Sequence, residues 1–150
     1  MWRWLCLTLL FFASSLRPSS AGACPSDDWR PFRDMCYWSS KFSTTWGEAA
    51  QFCAEQASGA DLVSIHDLDM DAFIGEQLLN ETEAWLGLHR AGEGEQWEWS
   101  DGSNYDFTMW YENDPDWMGG CAAINFALMG RWIGLGCEET FPFMCQIAVS

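Results

Sequence analysis

Histidine is scarce in this chain: there are two among 150 residues, His66 and His89, and neither has a second histidine or a cysteine at ligand spacing. The usual zinc sites are thereby excluded, and no histidine is paired with a nucleophile as a general base would be. Basic side chains are also few, 7 Lys and Arg against 22 Asp and Glu. An acidic field of that strength repels phosphate backbones and anionic membrane surfaces, so nucleic acid is not an expected partner. Beyond the first two dozen residues no apolar run approaches the roughly 20 residues that a bilayer-spanning helix needs. There is no internal repeat, low-complexity tract, collagen-like period or heptad array, which removes solenoids and coiled coils from consideration.

The amino terminus has its own pattern. Arg3 precedes an apolar run from Leu5 to Ala13, and Ala21-Gly22-Ala23 fits an A-x-A cleavage site, so residues 1–23 are expected to be a cleaved signal peptide and residues 24–150 a single secreted, extracellular domain. All 22 acids lie beyond the signal, whereas Arg3 and Arg17 lie within it. The five basic side chains that remain leave the mature chain at −17. With Cys6 set aside, Cys24, Cys36, Cys53, Cys121, Cys137 and Cys145 form an even set in an oxidising compartment, which implies disulfides without fixing which cysteines pair.

Periodicity supplies the elements. A strand is expected over 35–39. Thr45 with Glu48 forms a capping box, and Ala49, Phe52 and Cys53 follow at helical spacing until Gly59, with Cys53 turned to the core. A short buried strand is expected over 62–65, then a second helix with Met70, Phe73, Ile74 and Leu78 on one face, ended by Asn80. Asn80-Glu81-Thr82 is an N-glycosylation sequon on a surface connection. Strands are expected over 85–88 and 97–99, and closing strands over 121–126, 131–133 and 143–147.

Between them, from Ser103 to Met118, no helical or alternating period survives. A loop of that length in a compact domain is a functional feature or a disordered one, and its Tyr105, Phe107, Trp110, Tyr111 and Trp117 argue for the former. Glu112, Asp114 and Asp116 cluster around Pro115, a set of oxygen donors suited to a hard cation such as Ca²⁺. Asp114 and Asp116 could also be read as a carboxylate pair, but no groove signature accompanies them, so a glycosidase is not expected.

Trp85-Leu86-Gly87-Leu88, Trp99-Ser100-Asp101-Gly102, Trp110, Asp114-Pro115-Asp116, Trp132 and the cysteine spacing occur in an order that resembles the C-type lectin-like domain, in its long form, from Cys24 to Cys145. The resemblance implies an α+β fold of two helices flanking two small antiparallel sheets, with bridges Cys24–Cys36, Cys53–Cys145 and Cys121–Cys137. It also implies a non-enzymatic protein whose ligand, a glycan or glycoprotein such as a microbial surface sugar, or alternatively a protein bound without calcium, meets the long loop. Trp85, Trp99, Trp110 and Trp132 would belong to the core. Ligand-binding candidates are then Tyr111, Glu112, Asp114, Asp116 and Trp117.

In sugar-binding members of that family, calcium is held by the outer residues of a triplet, by an acid before the next cysteine and by an Asn-Asp pair after a tryptophan. Position by position these become Asp114 and Asp116, which keep oxygen donors, then Gly119, and then Ile133 and Gly134, which do not. The closing aspartate of the triplet matches the galactose-type pattern. A second calcium site would fall near Arg90 and Gly94, where an arginine opposes a cation. The resemblance therefore implies an incomplete metal site, Asp114 and Asp116, and sugar binding that shares calcium's ligands is expected to weaken with it.

Overall fold

The computed structural model describes residues 23–78, 83–92, 96–112 and 119–149. Strands β1 (Arg30–Phe32) and β2 (Met35–Ser39) form a hairpin whose turn residue Arg33 takes a positive φ of 53°. Then come α1 (Trp46–Gln56), β3 (Asp61–Leu62), α2 (Leu68–Gln77), β4 (Glu83–Arg90), β5 (Trp97–Trp99), β6 (Cys121–Asn125), a 3₁₀ turn at Phe126–Leu128, β7 (Arg131–Leu135) and β8 (Met144–Ala148). The strands make two four-stranded sheets, ordered β1-β2-β8-β3 and β5-β4-β6-β7, and every strand pair within them is antiparallel. The implied α+β architecture of two helices and two sheets is what the chain adopts.

Both helices start where local chemistry directs. Thr45 accepts from the Glu48 amide and the Glu48 carboxylate reaches back to the Thr45 amide, so two amide groups that the first turn leaves over are satisfied. Asp67 caps α2 by accepting from the Met70 amide at 2.9 Å. Ala49 and Cys53 of α1 are buried, and so are Met70 and Ile74 of α2 and Leu78 at its C-cap. Phe73, expected on the same face, is half-buried and stacks on Phe32 with centroids 4.3 Å apart. The first helix stops at Gln56, short of Gly59, which holds φ +87° in the turn beyond.

Three disulfides join Cys24 to Cys36, Cys53 to Cys145 and Cys121 to Cys137. The second closes 92 residues of chain, which on the chain-entropy view stabilises by about 4 to 5 kcal/mol. Strand β4 runs through the centre of the second sheet with Ala84 to Leu88 all buried. Its Gly87 is required by space: a Cβ there would lie 2.6 Å from Ser100 Oγ and 3.1 Å from the Leu62 carbonyl oxygen.

Three expectations about elements need correction. The strand anticipated over 62–65 is in register with β8 at Asp61 and Leu62 and keeps one further bond, from the Val63 amide to the Met144 carbonyl at 2.9 Å, before the Ser64 amide turns to the Gln146 side-chain oxygen at 3.0 Å. The strand anticipated over 121–126 ends at Asn125, whose side chain accepts from the Leu128 amide and winds Phe126 into the 3₁₀ turn. Trp110, expected in the core with Trp85, Trp99 and Trp132, is half-buried, whereas those three are buried. The sequon residue Asn80 and residues 1–22 lie outside the described residues.

Candidate functional site

The long loop leaves β5 through a turn that is fastened to the core. Gly102 takes φ +73° and its amide returns to the Trp99 carbonyl at 3.0 Å. Asp101 is exposed at this turn, yet its carboxylate bonds inward to Ser64 and Gln146. One oxygen accepts from the Ser103 amide and hydroxyl, at 2.9 and 2.5 Å, and the other accepts from Ser64 Oγ at 2.6 Å and Gln146 Nε2 at 2.7 Å. Burial pushes this carboxyl up, yet the bonds from Ser103 and Ser64 outweigh it and hold the pKa below its ordinary value.

The chain then returns along β7. Trp110 pairs with Trp132 as an isolated parallel bridge, with the Trp132 amide donating to the Met109 carbonyl and the Tyr111 amide donating to the Trp132 carbonyl, each at 2.9 Å. The Trp110 ring lies across Trp97 at 4.8 Å and Trp132 at 5.9 Å, and its Nε1–H donates to the Tyr105 hydroxyl at 2.7 Å. Half-burial follows from this position: the indole packs on other rings while its Nε1–H bond to Tyr105 lies in an exposed setting.

Two of the expected ligand-binding residues, Tyr111 and Glu112, follow directly. The Tyr111 phenol is hydrogen-bonded to the Glu112 carboxylate, which raises its pKa. Glu112 is exposed and holds φ 41°. The other three, Asp114, Asp116 and Trp117, lie outside the described residues, as do Pro115 and Gly94.

The remaining positions of the family's calcium site do not fit a cation. Gly119 is buried, and a Cβ built on it would lie 2.5 Å from both the Gly134 carbonyl carbon and the Leu135 nitrogen, with the Gly134 oxygen at 2.9 Å. Backbone therefore fills the space that an acidic side chain would occupy. Ile133 and Gly134 are strand residues of β7, in register with Ala123 and Ala122. At the second position the Arg90 guanidinium lies over the Trp97 ring, 5.2 Å from its centroid, and places a positive charge there. Among the described residues, no group of three or more His, Cys, Asp or Glu is arranged to hold a metal ion.

A polar cluster beneath the loop escapes sequence reasoning. His66 Nδ1 lies 3.0 Å from Asp106 Oδ1 of the loop, and its Nε2 lies 3.2 Å from Ser64 Oγ. The line of Ser64, His66 and Asp106 has the outline of a nucleophile, a base and an orienting acid. Proton bookkeeping gives it another role. The single Ser64 proton is committed to Asp101, and the Ser64 oxygen also accepts from Gln146 Nε2 at 2.9 Å, so the hydroxyl is a junction between loop and core. Ser64 is 3% exposed. A cavity of about 360 Å³ adjoins the cluster, lined in part by Arg33, Tyr37 and Met70, and burial pushes the Tyr37 phenol up to about 12. Only the turn signal at Asp101-Gly102 and the scarce histidine hinted at this cluster. The other members are separated by up to 82 positions, as Ser64 and Gln146 are.

The family comparison agrees with the geometry. The Lectin C-type domain matches residues 42–147. The chain belongs to the C-type lectin family. C-type lectin BML-1 of Bungarus multicinctus is 32% identical over 150 residues, covering 95% of this chain and 93% of that protein. A C-type lectin galactose-binding isoform of Hoplocephalus stephensii is 32% identical over 148 residues, with 93% of each chain covered. Among solved structures, human lithostathine superposes with a TM-score of 0.80 at 25% identity, covering 91% of this chain and 99% of that one. The carbohydrate-recognition domain of mouse scavenger receptor C-type lectin gives 0.75 at 29% identity, covering 85% and 98%.

Proposed function

We propose that residues 1–23 direct export of this chain and that residues 24–150 form an extracellular recognition domain. It binds a glycan through the 103–118 segment without a bridging calcium ion. The observation that carries the metal-free reading is Gly119, set against the backbone of Gly134 and Leu135 where a calcium ligand would otherwise project. The glycan reading is supported by the relatives, one of which is described as galactose-binding. It is supported too by the ring-and-acid character of the segment. Tyr111 and Trp117 offer flat faces to a sugar ring, and Glu112, Asp114 and Asp116 accept from its hydroxyls. A microbial surface glycan in host defence is the expected setting.

A second reading, a protein ligand bound by the same segment, is favoured by the same closure, since losing calcium removes the shared coordination on which sugar selectivity in the family depends. A glycan array run with and without a chelator separates the two. The expected result is saturable sugar binding that the chelator leaves unchanged, weakened about tenfold by Trp117→Ala, as for an interface anchor. Chelator-sensitive binding overturns the metal-free reading, and a blank array under both conditions replaces the glycan by a protein ligand. Single sites of this kind are weak, so the array should present the domain multivalently.

A further inference from the structure

Cations are rare on this surface, and two of them converge away from the loop. Of the basic residues in the mature chain, Arg30, Arg33 and Lys41 fall in or beside the first hairpin. Arg33 is engaged by Asp67, at 2.5 Å, and by Asp69, at 3.6 Å. Arg30 and Lys41 form no ion pair with any described residue, in a chain where acids outnumber bases threefold. Both are exposed, and both line one cavity of about 480 Å³, together with Trp38, Ser39, Asp28 and Gln77. None of these residues lies in the 103–118 segment.

The lining specifies a ligand. Trp38 is half-buried and its ring is fixed by Phe52, stacked at 5.3 Å, and by Phe143, tilted at 6.2 Å, so a flat apolar surface is held in place beside the two cations. Arg30 and Lys41 supply donors for an oxyanion, and the Ser39 hydroxyl adds another. Asp28 and the Gln77 amide oxygen are acceptors on the same wall, and a bare anion would leave them facing its charge. A ligand that answers all of them carries an oxyanion and hydroxyl groups on one ring-shaped body. We propose that this cavity is a second binding site, for an acidic sugar bearing a sulfate or carboxylate group. Arg30 and Lys41 take the oxyanion, Trp38 takes the face of the sugar ring, and Asp28 with Gln77 accepts from its hydroxyls.

The test is an NMR titration of the whole secreted chain with galactose 6-sulfate, following the Trp38 indole N–H and the backbone amides of Arg30 and Ser39. Galactose, inorganic sulfate and an acetylated diglutamate peptide are the comparison arms. The expected result is saturable shifts with galactose 6-sulfate and at least tenfold weaker binding for each of the other three. The Arg30→Gln, Lys41→Gln double variant should weaken galactose 6-sulfate by about tenfold or more, the loss of a charge-assisted bond. Should that variant not fold, Lys41→Gln alone is expected to weaken it by about threefold, with native amide dispersion as the control. Inorganic sulfate binding as tightly as the sulfated sugar overturns the proposal. So does tighter binding of the peptide, or unchanged affinity in a folded variant.

Discussion

Gly119→Ala is the most direct challenge to the metal-free reading, because it asks whether β7 truly occupies the space of the missing ligand. The added methyl would lie 2.5 Å from the Gly134 carbonyl carbon and the Leu135 nitrogen, about 0.9 Å inside ordinary contact. Both are backbone atoms and cannot swing aside as a side chain would. The strand that carries them is also paired along its length with β6, and Cys137 beyond it is bonded to Cys121. Overpacking of this kind costs about 1 to 3 kcal/mol, and the reduced freedom of the unfolded chain returns about 0.4 to 1 kcal/mol. A net loss of about 1 to 2 kcal/mol corresponds to a fall in Tm of about 3 to 8 °C for a domain of this size. Thermal unfolding followed by near-ultraviolet circular dichroism, at fixed protein concentration, reads it directly. The contact is refuted if Gly119→Ala melts with the native protein, and the space beside Gly134 would then be open to a calcium ligand after all.

Three further outcomes follow from other contacts. Gly47→Ala, in α1 where nothing lies within 4 Å of the new Cβ, should stabilise the domain by about 0.5 to 1 kcal/mol in urea unfolding, and serves as the internal control for Gly119→Ala. Asp101→Ala strips the acceptor from Ser64 and Gln146, both buried, and should cost about 1 to 3 kcal/mol by the same measurement. It should also raise amide hydrogen exchange at Ser103. Asp71 concerns pH: burial raises its carboxyl above the ordinary value, against a bond from Trp132 Nε1 and the charge of Arg131. The folded chain then holds that proton more tightly than the unfolded chain does, so its contribution to stability falls as pH rises through the window between the two pKa values. Asp71→Asn, whose amide oxygen still accepts from Trp132, should match the native protein at about pH 3 and be the more stable at about pH 7.

Local signals made the scaffold readable. Thr45 and Glu48 announced α1 because a capping box is satisfied within four residues, and Trp97 and Trp99 around exposed Glu98 showed a strand with one buried face. Strand β1 did not announce itself, since three residues with Pro31 at the centre carry no period, and Pro31 sits on an edge strand that spares its missing N–H. At the site, Gly119, Ile133 and Gly134 were legible as absent ligands. That backbone had moved into the vacancy was not, because composition does not encode the approach of two strands. The Ser64, His66, Asp101 and Gln146 cluster was hidden for a related reason: long-range polar contacts leave no pattern in one sequence.

Both footings of the long segment are set by atoms that do not belong to its middle. Asp101 is tied to Ser64 and Gln146 at one end, and Gly119 is wedged on Gly134 at the other. The span is thus held at both ends by fixed abutments on the core. Replacing residues 113–118 with an unrelated sequence of the same length should leave both anchorages in place, read as unchanged amide exchange at Ser64 and Ser103.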